Sequence, residues 1–297
     1  MGQKCSGASC CKSLPQVGPR GNMDEGEDIP IESESPDALD SMGRVVASKE
    51  GVRHVKNLVV PEGGVYTGQV AADDQPHGNG TQRWTDGTVY SGNWAFGAAH
   101  GRGQLMKSDG SGYDGSWVEG RKHGAGYERL ADSSEYRGNF ADGQKHGQGS
   151  FRWMGGASYT GQFCEDMLHG EGTFLWGDGR SFRGQWVQSR MHGQGRFEWP
   201  DGKIFEGKYE GDKKHGPGVF YWPDGTRVIG IWQSGRQHGV GTHFNEDGVA
   251  RKGKWKSGNL EQWLGKADPE ENERSDGKEN EVVIVNKTHL LVQGGGY

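Results

Sequence analysis

Aliphatic residues are scarce in this chain. Hydrophobic residues of all kinds, aromatics included, make up 31% of its 297 residues, and the mean hydropathy is -0.88. That is well below the share of a protein built on a deep layered core. No run of eighteen apolar residues occurs, so no helix is expected to span a membrane. Nor is there an apolar stretch near the start to serve secretion. Cysteine is sparse: Cys5, Cys10 and Cys11 crowd the N-terminus and Cys164 stands alone. Without a secretory signal these do not form a disulfide framework, and a reducing cytosol is the expected compartment. Excess positive charge is missing too. The net charge is -6, while residues 65–265 balance 23 Lys/Arg against 23 Asp/Glu. Nucleic-acid binding, which needs a basic footprint, is therefore excluded from the expectations. No G-x-S-x-G, kinase or H-E-x-x-H signature is found, and no Walker Lys-Ser/Thr follows the glycines.

What the chain does hold is glycine, 55 residues of it, with 11 Trp, 9 Tyr and 10 Phe. Collagen would need glycine at every third position, and a disordered chain would not carry so many rings. The order behind these numbers is a repeat. His77, His100, His123, His146, His169, His192, His215 and His238 follow one another at intervals of 23 residues. Each opens an H-G-x-G motif, as in HGRG, HGAG and HGQG. Ten residues before most of them stands an aromatic that opens segments such as YSGNW, YDGSW and FRGQW.

YRGNF alternates with period two, placing Tyr136, Gly138 and Phe140 on one face of a strand. GQGSFRW does the same with Gly147, Gly149, Phe151 and Trp153. ADGQKH and WPDGK read as turns between them. Each repeat is thus a β-hairpin, and the series makes an all-β, single-layer, twisted antiparallel meander, a β solenoid. A propeller with two repeats per blade is the alternative. Glycines on the ring face suggest rings lying across the gaps they leave.

Eight histidines invite a metal. Equivalent positions lie two strands apart, roughly 9–10 Å, whereas two ligands of one zinc sit only a few ångströms apart. No metal and no cofactor is expected, and each histidine is assigned a structural role, bonding local backbone through a ring nitrogen. The acids Asp142, Asp178, Asp201 and Asp224 fall in turn motifs, where Asp is expected for its own backbone bonding. No catalytic residue is assigned.

The pattern Y-x-G-x-W-x-x-G-x-x-H-G-x-G resembles the MORN repeat (membrane occupation and recognition nexus). The first copy has an extra residue before His77 and Val70 where an aromatic is expected. The eighth has Val228 in place of Tyr, and RKGKWKSG is a half-copy. The boundaries expected are a disordered tether over 1–42, an N-terminal cap strand over 43–64, eight repeats and a half-repeat over 65–258, and a linker with an apolar tail over 259–297. In the family such arrays organise cytoskeletal, cortical and membrane-junction assemblies. Others are appended to lipid kinases or a methyltransferase, whose catalytic domains would not fit in the residues left here.

The start MGQKCS matches the myristoylation pattern with Gly2 as acceptor, and Cys5, Cys10 and Cys11 follow as palmitoylation candidates. A single acyl chain holds a protein to a bilayer only reversibly, so the cysteines supply the second anchor. The expected function is a non-catalytic scaffold on the cytosolic face of the plasma membrane or of a cortical or internal membrane. Its protein partner, a helix or peptide, would lie in a groove lined by Tyr90, Trp94, Tyr113, Trp117, Tyr136, Phe140, Tyr159, Phe163, Phe182, Trp186, Phe205, Tyr209 and Trp232. Two alternatives stand beside it: an array that itself binds phosphoinositides or other anionic lipid, and a regulatory subunit of a separate enzyme such as a lipid kinase. The apolar segment VVIVNKTHLLV near the C-terminus either folds back as an edge strand or docks elsewhere.

Overall fold

The computed structural model describes residues 51–61 and 63–266. Gly2, Cys5, Cys10 and Cys11, the 1–42 tether and the VVIVNKTHLLV segment lie outside the described residues. Two compact units divide the chain, one ending at His169 and the other starting at Gly170. Among the described residues there are nineteen strands and no helix.

The first unit contains β1 (Arg53–Val59), β2 (Val65–Val70), β3 (Pro76–Arg83), β4 (Val89–Ala95), β5 (Ala98–Met106), β6 (Gly112–Val118), β7 (Arg121–Arg129), β8 (Glu135–Ala141), β9 (Gln144–Arg152) and β10 (Ser158–Cys164). The boundary falls inside β11 (Met167–Leu175). The second unit continues with β12 (Ser181–Val187), β13 (Arg190–Glu198), β14 (Ile204–Glu210), β15 (Lys213–Tyr221), β16 (Arg227–Gln233), β17 (Arg236–Phe244), β18 (Ala250–Lys256) and β19 (Asn259–Lys266). In each unit the pairings are antiparallel and join chain neighbours, from β1 with β2 to β9 with β10, and from β11 with β12 to β18 with β19. Both units are meanders of hairpins, as the repeat predicts.

Local chemistry explains each hairpin. Between the strands of a repeat, two residues turn the chain with positive φ at both positions, as at Glu119 (48°) and Gly120 (76°). This is the type I′ turn, whose twist matches that of the flanking strands. The turns of successive repeats are tied together: Gly120 N–H donates to the Ala99 carbonyl at 2.9 Å, and Gly143 N–H to that of Lys122 at 2.9 Å. Between repeats the turn is Trp-x-Asp-Gly in four cases, as at 84–87 and 176–179. There Trp84 N–H donates to the Thr88 carbonyl at 2.9 Å, while Asp86 Oδ1 accepts from Thr88 N–H at 2.8 Å. Asp178, Asp201 and Asp224 accept the same bond from the residue two positions on. These bonds stabilise the charged carboxylate and hold Asp86 and Asp178 below the usual range, while at Asp201 and Asp224 the side-chain bonds from Lys203 and Thr226 do so first and the backbone bond adds to them.

The His-Gly pair marks a β-bulge. Opposite the step from Gly115 to Ser116, β7 runs on from His123 to Gly126, so Gly124 and Ala125 have no counterpart on β6. Gly124 takes a φ of 58°, a left-handed conformation that glycine adopts without steric cost.

At the C-terminal end the structure departs from the sequence boundary. The chain does not leave the sheet at residue 258, because Ser257 and Gly258 form another turn with positive φ at both positions. β19 then pairs with β18, and Leu260 sits opposite Trp255. The expected half-repeat is a complete hairpin.

Candidate partner-binding face

Tyr136, Gly138 and Phe140 do share a face, and Gly138 lies opposite Gly149 on β9. The ring of Tyr136 covers this glycine pair. A Cβ added at Gly149 would stand 2.4 Å from Tyr136 Oη and 2.6 Å from a ring carbon. Glycine is therefore the seat of the ring. The phenol reaches past it to donate to the Asn139 carbonyl at 2.9 Å. Tyr66, Tyr90, Tyr113 and Tyr159 make the equivalent bond to Gln69, Asn93, Ser116 and Gln162.

The second aromatic of each segment stands edge-on between two such rings. In the first unit Tyr66, Trp94, Tyr90, Trp117, Tyr113, Phe140, Tyr136, Phe163 and Tyr159 form an unbroken edge-to-face line, with centroids 4.8–5.4 Å apart. Trp94 and Trp117 also donate through Nε1 to the carbonyls of Gly80 and Gly103, at 3.1 and 2.9 Å. In the second unit the line runs Trp186, Phe182, Tyr209, Phe205, Trp232. Each such pair contributes about 0.5–1.5 kcal/mol beyond its burial. This is how a single layer acquires a core.

The geometry corrects the expected groove. Tyr90, Trp94, Tyr113, Trp117, Tyr136, Phe140, Tyr159, Phe163, Phe182, Trp186, Phe205, Tyr209 and Trp232 are all no more than 6% exposed. Within each unit they share one face, but their own edge-to-face packing closes it over them. A partner would not meet these side chains.

What that face leaves open is a second row, near the Trp-x-Asp-Gly turns. In the second unit Phe174, Trp176, Phe197, Trp199, Phe220 and Trp222 touch in series, with centroids 4.4–5.6 Å apart. All but Phe197 are half-buried. Lys214 Nζ lies against this row, 5.4 Å from the Trp199 ring centroid, 4.7 Å from Phe220 and 5.1 Å from Phe205. Burial lowers the pKa of this ammonium. Arg180 stacks over Trp176 at 5.5 Å. The row is legible in the sequence as F-x-W ahead of three successive turns (FLW, FEW, FYW), with one earlier copy, FRW, in the first unit.

The first unit fills most of these positions differently. Leu105 and Lys107, then Glu128 and Leu130, stand where Phe and Trp stand later. Glu128 is buried at 9% and pairs with Lys122 and, at 3.3 Å, with Lys145 Nζ. The aromatic row thus belongs mainly to the second unit.

The histidines do not act as expected. Among the described residues no ring nitrogen of the eight donates to or accepts from backbone. The His77 ring stands edge-on to Phe96 at 5.7 Å, and His215 Nδ1 lies 3.3 Å from Glu210 Oε2. It is the backbone that contributes, as where the His169 carbonyl stands 3.4 Å from Tyr159 Oη. The regularity of the motif is explained by the bulge glycine, and nothing in the geometry explains the imidazole. Among the described residues no three His, Cys, Asp or Glu side chains gather to hold a metal ion. Cys164 is a buried thiol.

No curated protein matches the chain significantly. Among the solved structures matched to this chain are two TCP-type domains. The TCP domain of SAS-4 (dCPAP) of Drosophila melanogaster, in complex with a proline-rich motif of Ana2 (dSTIL), is 9% identical, with a TM-score of 0.27 over 76% of this chain and 99% of that one. A mutant TCP10 domain of Danio rerio CPAP is 14% identical, with a TM-score of 0.25 over 70% of this chain and 98% of that one. Neither likeness bears on function. The MORN repeat is different: its pattern matches residues 64–89, 90–112, 113–135, 136–158, 159–179, 182–204, 205–227 and 229–248. These matches take in well over half of the 297 residues and coincide with the ring-on-glycine hairpins, so this chain belongs to the MORN repeat family.

Proposed function

We propose that this protein is a non-catalytic scaffold, held at a membrane by acyl chains on Gly2 and on Cys5, Cys10 and Cys11, that engages a protein segment along the open aromatic row of its second unit. The observation that carries this is the contiguous series Phe174, Trp176, Phe197, Trp199, Phe220 and Trp222, half-buried at every position but Phe197. A contiguous, partly open run of large rings is the usual mark of a protein contact. The ammonium of Lys214 beside it favours a segment that brings a carboxylate.

Two substitutions in the full chain separate anchor from face. Gly2→Ala is expected to move the protein from the membrane to the cytosolic fraction. Trp199→Lys is expected to leave it on the membrane while proximity labelling of its partner falls at least tenfold. Unchanged membrane retention of Gly2→Ala would refute the anchor, and unchanged labelling by Trp199→Lys would refute the face.

Lipid capture by the array itself is the second reading. It is favoured by Arg251, Lys252, Lys254 and Lys256, which crowd β18. Each cation contributes about 1 kcal/mol at an anionic surface. Salt-sensitive sedimentation of the unacylated Gly2→Ala chain with phosphatidylserine vesicles would support that reading. The proposal above predicts no such sedimentation.

A further inference from the structure

The face opposite the rings is polar in most repeats. Arg183 and Gln185 on β12, Gln194 and Arg196 on β13, and Glu206 and Lys208 on β14 occupy it. On β15–β17 the equivalent positions are Pro217, Val219, Ile229, Ile231, Val240 and Thr242. Strand register brings them together: Pro217 lies opposite Ile231, Val219 opposite Ile229, and Ile229 opposite Thr242. Ile231 remains 37% exposed and Val240 53%. A compact apolar island thus sits on a wet face, beyond anything the repeat motif requires.

Next to it the charge changes. Val240 lies opposite Lys254 on β18, and Lys256 follows on the same face. Lys254 reaches Glu261 on β19 at 3.7 Å. The described chain ends just beyond, with Lys266 closing β19. Residues 267–281 then carry seven acids against two bases, and the run VVIVNKTHLLV follows at 282–292. From β19 to β16 is three strand spacings, about 14 Å. Residues 267–281 reach roughly 50 Å when extended, so length is no obstacle.

We propose that residues 282–292 fold back onto this island, across β15–β17, with the acidic linker passing over the lysines of β18. Val282, Val283, Ile284 and Val285 at one end of the segment, and Leu290, Leu291 and Val292 at the other, supply the apolar cover. The island and the aromatic row lie on opposite faces and overlap only at β15, so this contact neither needs nor blocks the proposed partner.

Cross-linking in the full chain tests it. A benzophenone side chain at position 231 is expected to attach to a peptide from 282–292 within one molecule. The same group at position 185 is expected to yield at least tenfold less. Ile284→Asp with Leu291→Asp should abolish the 231 product while the far-ultraviolet spectrum of the chain is unchanged. Absence of the 231 product, equal yield from position 185, or survival of the product in the double variant would overturn the proposal. Mixing ¹⁵N-labelled and unlabelled chains identifies cross-links between copies, and their predominance would overturn it in favour of a second molecule as occupant.

Discussion

Gly149 and Gly155 lie six residues apart, yet they answer to different physics. A methyl group at Gly149 would enter the ring of Tyr136, whereas one at Gly155 would meet nothing within 4 Å. Gly149→Ala should therefore cost about 1–3 kcal/mol through overpacking, while Gly155→Ala should be neutral or stabilise by about 0.4–1 kcal/mol. Urea unfolding of the two variants checks the contrast. Tyr209 shows the reverse of a good seat, since its hydroxyl is buried without a hydrogen-bond partner. Phe140 and Phe163 stand at the same place in other repeats. Tyr209→Phe should leave stability unchanged or raise it by up to about 1 kcal/mol, which a thermal melt would show. The seated phenols also set a pH limit. Burial pushes Tyr66 and Tyr113 up to about 12, from an ordinary value near 10. A pKa raised in the folded state means that the linked stability is complete below pH 10 and is lost between 10 and 12. Absorbance at 295 nm in an alkaline titration should therefore show the tyrosinate signal of these residues rising above pH 10 together with loss of β signal by circular dichroism. A rise at pH 10 with the fold intact would contradict the burial.

Hairpins were largely legible in the sequence, and the reasons are local. Period-two alternation in YRGNF assigns Tyr136 and Phe140 to one face, and the Asp-Gly pairs announce the turns. What alternation does not reveal is depth. It identifies the ring side of a strand, but not that the Tyr136 phenol crosses a glycine pair to Asn139, or that Phe140 and Phe163 close on it edge-to-face. The expected groove residues are consequently packed inside the ring face and not open on it. His146 misled for a similar reason. A repeated side chain draws the eye, whereas the constraint rests on the φ of 63° at Gly147. Turn chemistry also varies between repeats. The β12–β13 turn holds Gln188 and Ser189 at φ of 50° and 61°, where several other turns place glycine second. Left-handed backbone costs a non-glycine residue about 1–2 kcal/mol. After allowance for the greater freedom of glycine in the unfolded chain, Ser189→Gly should stabilise by about 1 kcal/mol. Chemical denaturation gives the number, and a loss of stability would show that the serine side chain contributes more than the strain it imposes.

At the scale of the whole molecule, the chain repeats one hairpin and varies what the hairpin presents. The buried line of Tyr, Phe and Trp rings runs through the hairpins of each unit and serves the fold. The half-buried Phe-Trp row is developed chiefly in the second unit, where Lys214 lies against it, and the proposed partner contact rests on this selectivity. In the first unit Lys107 and Leu130 occupy the Trp position and Leu105 the Phe position, so the hairpin folds without rings there. Importing those residues therefore separates the surface from the scaffold. The most direct test places Trp199→Lys and Phe220→Leu together in the full acylated chain and measures proximity labelling of partner proteins at the membrane, with circular dichroism as the control for folding. The account predicts an unchanged spectrum, an unchanged membrane fraction and at least a tenfold loss of partner labelling. Undiminished labelling by the folded, membrane-bound double variant would contradict it.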